Sequence, residues 1–132
     1  MNNIEYIINK LNIAYPKSIH LLKPIWKLEN IKTGISSTGF CYNAAECAYY
    51  ILGGKVNGWK PFCATYYENG FKNTHWWIKH KNGNICDPTY NQYTDLGECP
   101  PYKIGKHRSF LTNFMSNRSK ELLKIAGLNC NG

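Results

Sequence analysis

Apolar residues recur at helical spacing in three parts of the chain. The first part predicts a helix from Asn3 to about Ala14, with Asn2 or Asn3 available as its N-cap and Pro16 ending it. The second predicts a helix from about Phe40 to Leu52, and the third predicts one from Asn117 to Ala126. Ser18 to Leu22 predicts only a short helical turn, and residues 23–40 show no regular pattern.

The predicted helix over residues 40–52 has an unusually small-sided face, which would let it approach a sheet closely. Three- and four-residue steps stack on a helix, and the positions that share this face are Cys41, Ala44, Ala45, Ala48 and Leu52. Cys41 falls in the first turn, where the helix dipole and the free amide groups favour a thiolate. Gly53 and Gly54 close the helix.

Aromatic and β-branched residues predict three strands after this helix. They run from Pro61 to Glu68, from Asn73 to His80 and from Asn84 to Asp87, with a turn at Asn69-Gly70. Residues 90–102 predict an extended excursion, and Phe110 to Thr112 a further short strand.

The turn before Asn84 decides which residues share a sheet face. A two-residue Asn82-Gly83 turn would put Asp87 and His75 on opposite faces. A three-residue loop with Gly83 in the left-handed conformation would pair His80 with Asn84 and place His75 diagonal to Asp87 on one face.

A cysteine at a helix start, a histidine on a strand and an aspartate ending the next strand suggest a thiol-dependent acyl-transfer site. Cys41 would be the nucleophile, His75 its base and Asp87 the group that orients the ring. The backbone amide of Cys41 would be one oxyanion donor, and the candidates for a second are Ser36, Ser37, Thr38, Tyr42 and His20. Each residue also has a simpler interpretation: Cys41 as a small core residue, His75 as a packing residue and Asp87 as a turn cap.

The bulk properties predict one folded domain of 132 residues, with residues 1–38 as a helical lead-in and 39–126 as the core that carries the site. A formal charge of +8 favours acidic or phosphate-bearing partners. Nucleic acid is a minor alternative, because the basic residues are scattered.

The sequence gives no sign of secretion, of a membrane span or of a metal site. Without a signal peptide, the six cysteines are interpreted as reduced thiols of a cytoplasmic protein. No Cys-x-x-Cys pair occurs, and His75 and His80 would point to opposite faces of their strand, so neither a metal nor a cofactor is expected.

Several motifs together resemble the papain-like cysteine superfamily, and especially its transglutaminase-like branch. They also resemble a small uncharacterised family met in phage genomes, over residues 39 to about 122. The motifs are Gly39-Phe40-Cys41-Tyr42, Thr74-His75-Trp76-Trp77, Ile85-Cys86-Asp87-Pro88-Thr89 with Gln92, Pro101-Tyr102 and Phe110-Leu111-Thr112.

This resemblance implies an α+β papain-like fold, with the nucleophile helix packed on a small antiparallel sheet. It also implies a Cys41-His75-Asp87 triad that acts on amides or thioesters. The candidate substrate-binding residues are Trp76, Trp77, Tyr42 and Gln92. One departure stands out, because papain-like proteases place a glutamine shortly before the cysteine, and the sole glutamine here is Gln92.

The function expected first is therefore a cysteine hydrolase of the amidase or peptidase kind, working through an acyl-enzyme. An acyltransferase or transglutaminase-like transferase is the alternative within the same chemistry. The alternative from another class is a non-catalytic phage or viral effector that binds a host protein or nucleic acid in the host cytoplasm.

Overall fold

The computed structural model describes residues 3–130, and this part of the chain is an α+β structure with five α-helices and one four-stranded antiparallel sheet. The strand order is β3-β2-β1-β4. The helices are α1 (Ile4–Ala14), α2 (Pro24–Thr33), α3 (Cys41–Ile51), α4 (Asn91–Thr94) and α5 (Asn117–Ile125). The strands are β1 (Trp59–Glu68), β2 (Phe71–His80), β3 (Ile85–Cys86) and β4 (Lys106–His107).

The three helices predicted from apolar spacing are confirmed. Asn3 is the N-cap of α1, and its side-chain oxygen accepts a hydrogen bond from the Tyr6 amide at 2.7 Å, whereas Asn2 lies outside the described residues. Ser116 caps α5 in the same way, through the Ser119 amide.

The loop between β2 and β3 has the three-residue form. His80 donates its amide to the Asn84 carbonyl at 2.8 Å, Gly83 has a φ of +99°, and Ile78 pairs with Cys86. Continued by one residue, this register sets Trp77 opposite Asp87. His75 and Asp87 therefore lie diagonally on one face of the sheet.

The small-sided face of α3 packs on the sheet as predicted. Ala44, Ala45 and Ala48 are completely buried, and their small size lets α3 lie close to β2. The sheet face beneath the helix carries Trp76 and Ile78, which belong to the same hydrophobic core.

The expectation of an irregular segment over residues 23–40 is wrong, because α2 occupies part of it. Pro24 stands in the first turn of α2, where its missing amide costs no hydrogen bond, and Gly34 ends the helix with a φ of +70°. Ile25, Leu28 and Ile31 are each more than 60% exposed. α2 therefore lacks the buried apolar stripe at helical spacing that predicts a helix packed on a core.

The strand expected at Phe110 to Thr112 is also wrong. The chain there is irregular, and the fourth strand is formed a few residues earlier by β4, which pairs Lys106 with Cys63 of β1. The excursion over residues 90–102 is not simply extended either, because it contains the short helix α4.

No helix within residues 3–130 combines the length and the apolar character needed to span a bilayer.

Candidate active site

Cys41 is the first residue of α3 and is partly exposed. The residue before it, Phe40, makes no side-chain cap hydrogen bond, so the amides of the first turn are left without the usual partner. The three unpaired amides, those of Cys41, Tyr42 and Asn43, favour negative charge on a group placed at this helix end. Cys41 therefore lies where a thiolate and an oxyanion are both stabilised.

The thiol reaches β2 because the sheet is open at this point. Cys41 Sγ lies 3.8 Å from the carbonyl oxygen of Thr74, a backbone group on the side of β2 that faces β3. β3 ends at Cys86, and the register would next bring Pro88 opposite Trp76. Because proline has no amide hydrogen to donate, the ladder stops and the edge stays free for Cys41.

His75 and Asp87 form a buried, directly hydrogen-bonded pair. His75 Nε2 lies 2.7 Å from Asp87 Oδ2, and the two residues are 0% and 4% exposed. With Nε2 committed to the carboxylate, Nδ1 is the ring nitrogen left for a thiol. Nδ1 is buried and makes no hydrogen bond to any residue in the described part of the chain.

The environment of His75 favours its protonated form. Burial alone lowers the pKa of His75, but the hydrogen bond to Asp87 and the neighbouring Cys41 outweigh it and raise the pKa to about 9. The thiol lies close to the ring, because its sulfur is 3.8 Å from the carbonyl oxygen of Thr74, the residue before His75. As long as Cys41 keeps its proton, the thiol donates a hydrogen bond to this carbonyl.

Aromatic rings cover the His75-Asp87 pair. Trp77, 1% exposed, stacks on His75 at 5.7 Å between ring centroids, and Tyr93 of α4 meets the same ring edge-on at 4.8 Å. Tyr93 is held in turn by a 2.7 Å hydrogen bond between its hydroxyl and that of Tyr66. Water is thereby kept from the ion pair, which strengthens its electrostatic interaction.

Three further groups fix Asp87 and the turn that follows it. The Tyr102 hydroxyl donates to Asp87 Oδ2 at 2.8 Å, and the Thr89 amide donates to Oδ1 at 3.2 Å. The buried Tyr15 hydroxyl donates to the Pro88 carbonyl at 2.9 Å, and its ring stacks on Phe40, the residue before Cys41. Tyr15 thus links the start of α3 to the end of the second site strand.

Sequence reasoning did not single out Tyr15 and Tyr93, and it named Tyr102 only as part of a motif. Tyrosine is common in this chain, which contains ten, so residue type alone carried little signal. Their contacts depend on chain segments brought together by the fold.

The two tryptophans have different positions. Trp77 shields the pair, whereas Trp76 points to the opposite face and contacts Tyr42 edge-on at 5.0 Å. A cavity of about 410 Å³, here called the Trp26 cavity, has Trp26, Tyr42 and Trp76 in its lining. Of the predicted substrate-binding residues, Trp76 and Tyr42 thus line this cavity near the start of α3, and Trp77 does not.

Gln92 lies in α4, between two residues that reach the site. Asn91 accepts a hydrogen bond from Ser37 at 2.5 Å, and Tyr93 contacts His75. The Gln92 Oε1 atom is buried and has no hydrogen-bond partner among residues 3–130.

Three of the four hydroxyls considered as a second oxyanion donor, those of Ser37, Thr38 and Tyr42, already make hydrogen bonds. Ser37 donates to Asn91, Thr38 bonds Thr33 at 2.9 Å, and the Tyr42 hydroxyl accepts from the Leu111 amide at 2.8 Å. The uncapped amides of α3 are better placed for this role.

The other cysteines lie in different surroundings. Burial raises the pKa of Cys86 to about 12 and also raises the pKa of Cys47 and Cys63. Cys99 and Cys130 are exposed, and all six thiols are free. Residues 3–130 contain no group of three or more His, Cys, Asp and Glu side chains arranged to hold a metal ion.

Comparison with known proteins adds no identification: no family model, curated protein or solved structure matches the chain. The geometry of the residues is therefore what supports a function.

Proposed function

We propose that this chain is a thiol-dependent acyl-transfer enzyme, a cysteine hydrolase that cleaves an amide through an acyl-enzyme. The observation that carries the proposal is the buried His75-Asp87 hydrogen bond of 2.7 Å, which leaves one ring nitrogen unpartnered beside the Cys41 thiol at a helix start. A histidine that only fills space in the core needs neither a buried carboxylate bonded to one ring nitrogen nor a second ring nitrogen without a partner.

The first step would form a thioester. Neutral His75 takes the Cys41 proton at Nδ1, and its raised pKa holds that proton as an imidazolium beside the thiolate. The thiolate sulfur then attacks the substrate carbonyl carbon to form a tetrahedral oxyanion. Amides of the first α3 turn, including that of Cys41, would donate hydrogen bonds to this oxygen. The C–N bond then breaks as His75 returns its proton to the leaving amine.

The second step would release the acyl group. His75 takes a proton from water, the hydroxide attacks the thioester carbonyl, and the thiol leaves with the proton restored to sulfur. Asp87 stays ionised throughout and stabilises the imidazolium. If an amine replaced water, the same residues would act as an acyltransferase of the transglutaminase-like kind.

The order of the site residues also supports a papain-like or transglutaminase-like fold assignment. Cysteine at a helix start, histidine on β2 and aspartate just after β3 follow the order that this superfamily uses. Six free thiols are consistent with a reducing compartment, and we place the protein in the cytoplasm, which would be the host's if the chain is of phage or viral origin.

Selective alkylation tests the proposal. With limiting iodoacetamide near neutral pH, Cys41 should be modified well before the exposed Cys99 and Cys130, as read by mass mapping of tryptic peptides. His75→Gln should abolish this preference without unfolding the protein. Comparable rates for Cys41, Cys99 and Cys130 in the wild type would rule out an activated thiol and favour a non-catalytic binding module.

A second measurement would identify the chemistry. Incubation of the protein with a lysate, followed by intact-mass analysis, should show an adduct on Cys41, and Cys41→Ser should show none at that residue. Release of the adduct by added amines faster than by water would favour the transferase.

A further inference from the structure

A second cavity lies on the Trp76 face of the sheet, between β1 and the segment around β4. It measures about 360 Å³ and is here called the Arg108 groove; its lining residues are Cys63, Thr65, Ile104, Lys106, His107 and Arg108. The sheet register explains the shared face, because Cys63 pairs with Trp76 on one side and with Lys106 on the other.

Arg108 is anchored at the end of β4. Its amide donates to the Pro61 carbonyl at 3.1 Å, and its guanidinium lies over the Trp76 ring at 5.5 Å from the centroid. A cation held over an indole loses mobility before any ligand arrives, which lowers the entropy cost of binding.

Trp76 connects the Arg108 groove to the start of α3. Its ring lies under the Arg108 guanidinium and also contacts Tyr42, the residue after Cys41, edge-on at 5.0 Å. The pKa of Cys63 is raised by burial, lowered by Arg108 and raised by Cys41. Arg108 and Cys41 therefore both influence the ionisation of Cys63.

The positive charge of the Arg108 groove is not neutralised by the protein. Within residues 3–130, the one ion pair is that of His75 with Asp87, so neither Arg108 nor Lys106 has an acidic partner. A planar guanidinium can donate two parallel hydrogen bonds to a carboxylate or phosphate, whereas a neutral amide gains much less from it.

We propose that the Arg108 groove binds an anionic group of the substrate, a carboxylate or a phosphate, while the scissile carbonyl lies at Cys41. Arg108 is the binding residue and Lys106 adds charge. This inference rests on the proposed function and names its substrate class.

Matched electrophiles test this assignment. The α-amides of N-bromoacetyl-glutamate and N-bromoacetyl-glutamine have nearly the same shape, and only the first carries a negative charge; the α-amide of N-bromoacetyl-phosphoserine replaces the carboxylate side chain with a phosphate. The rate of Cys41 alkylation by an anionic probe, divided by the rate with the glutamine probe, measures charge recognition. We expect Arg108→Gln to lower this ratio about ten-fold, the factor that corresponds to about 1.4 kcal/mol. The anionic probe with the larger ratio identifies the carboxylate or the phosphate as the preferred group.

Three further variants make the result specific. Arg108→Lys keeps the charge but loses the fork, so its ratio should lie between those of wild type and Arg108→Gln. Lys124→Gln removes a positive charge from α5 away from both cavities and should leave the ratio unchanged. Arg118→Gln removes a charge from the Trp26 cavity, and a ten-fold loss there instead would overturn the assignment to Arg108.

The outcomes separate the two proposals. If Cys41 reacts with the glutamine probe no faster than Cys99 does, the proposed enzyme function fails. If Cys41 keeps that preference but the charge ratio is the same in wild type and Arg108→Gln, only the anion site fails. If Arg108→Gln lowered the rate of Cys41 alkylation equally with all three probes, Arg108 would only support Trp76. That result would also overturn the inference.

Discussion

Asp87 is the residue on which the electrostatics of the site depend. Its Oδ2 atom accepts hydrogen bonds from both His75 and Tyr102, and its charge helps to hold the His75 proton against the effect of burial. Asp87→Asn should therefore lower the pKa of His75 below its value of about 9, as followed by NMR titration of the ring.

Tyr102→Phe is the matched control for this change. It removes a hydrogen bond from the same oxygen but leaves the carboxylate charge in place. The pKa of His75 should then stay unchanged or rise, because Asp87 Oδ2 no longer accepts a hydrogen bond from Tyr102 as well as from His75. A decrease as large as that in Asp87→Asn would contradict the assigned role of the charge.

The pH dependence of the free energy of unfolding should also reflect the protonation of His75. The pKa of His75 rises from 6.5 to about 9 on folding, so its contribution is fully present below pH 6.5 and is lost as the pH rises through about 9. Urea unfolding should show a larger loss of stability over this interval in the wild type than in His75→Gln. Equal losses would mean that His75 gains no proton affinity on folding.

At the scale of elements, the β2–β3 loop sets the register that places Asp87 beside His75. Deleting Asn84 while keeping the three-residue loop should bring Ile85 opposite His80 and shift β3 by one position, which sets Asp87 opposite Ile78 and turns it to the other face. The preferential alkylation of Cys41 should then be lost. Gly83→Ala keeps the register and should cost only about 1 kcal/mol for its positive φ, while the preference remains.

Gly105 controls a second contact between elements. A methyl group added here would overlap the six-membered ring of Trp77, the indole that covers His75, and the buried ring has little room to move. Gly105→Ala should destabilise the fold by about 1–3 kcal/mol in urea unfolding. In Trp77→Phe the same change should cost less, and additive effects in the double-mutant cycle would argue against direct contact.

The elements differ in how far the sequence could predict them. α1, α3 and the register at Gly83 follow local rules, namely apolar spacing, small residues and a left-handed glycine. α2 does not, because its apolar residues face outward and only Asn30 is buried, held by hydrogen bonds to the Ser36 and Thr38 carbonyls. β4 has two residues, too few for any periodic pattern.

The same limit applies to the site. Cys41, His75 and Asp87 were found because their chain order and local elements carry a signal. Arg108 over Trp76 and Tyr102 on Asp87 were not, since each pairing is set by distances in the folded molecule that no local pattern encodes.

At the scale of the whole molecule, Tyr15 ties the N-terminal segment to the site. Tyr15→Phe should leave the Pro88 carbonyl without its donor in a buried place and cost about 1–3 kcal/mol in unfolding free energy. It should also slow the alkylation of Cys41. Tyr6→Phe, at a residue 43% exposed, should change stability by less than about 0.5 kcal/mol, and an equal loss there would argue against a specific role for Tyr15.

The contacts that assemble the site join distant parts of the chain, and this has a consequence for the timing of folding. Cys41 and Thr74 are separated by 33 residues, and Tyr15 and Pro88 by 73. Loops of this length close after local helices and hairpins have formed. During synthesis and early folding, the thiol would therefore behave like any other cysteine, and it would become reactive only when the native topology is complete. A pulse of iodoacetamide during refolding would thus time the last long-range step.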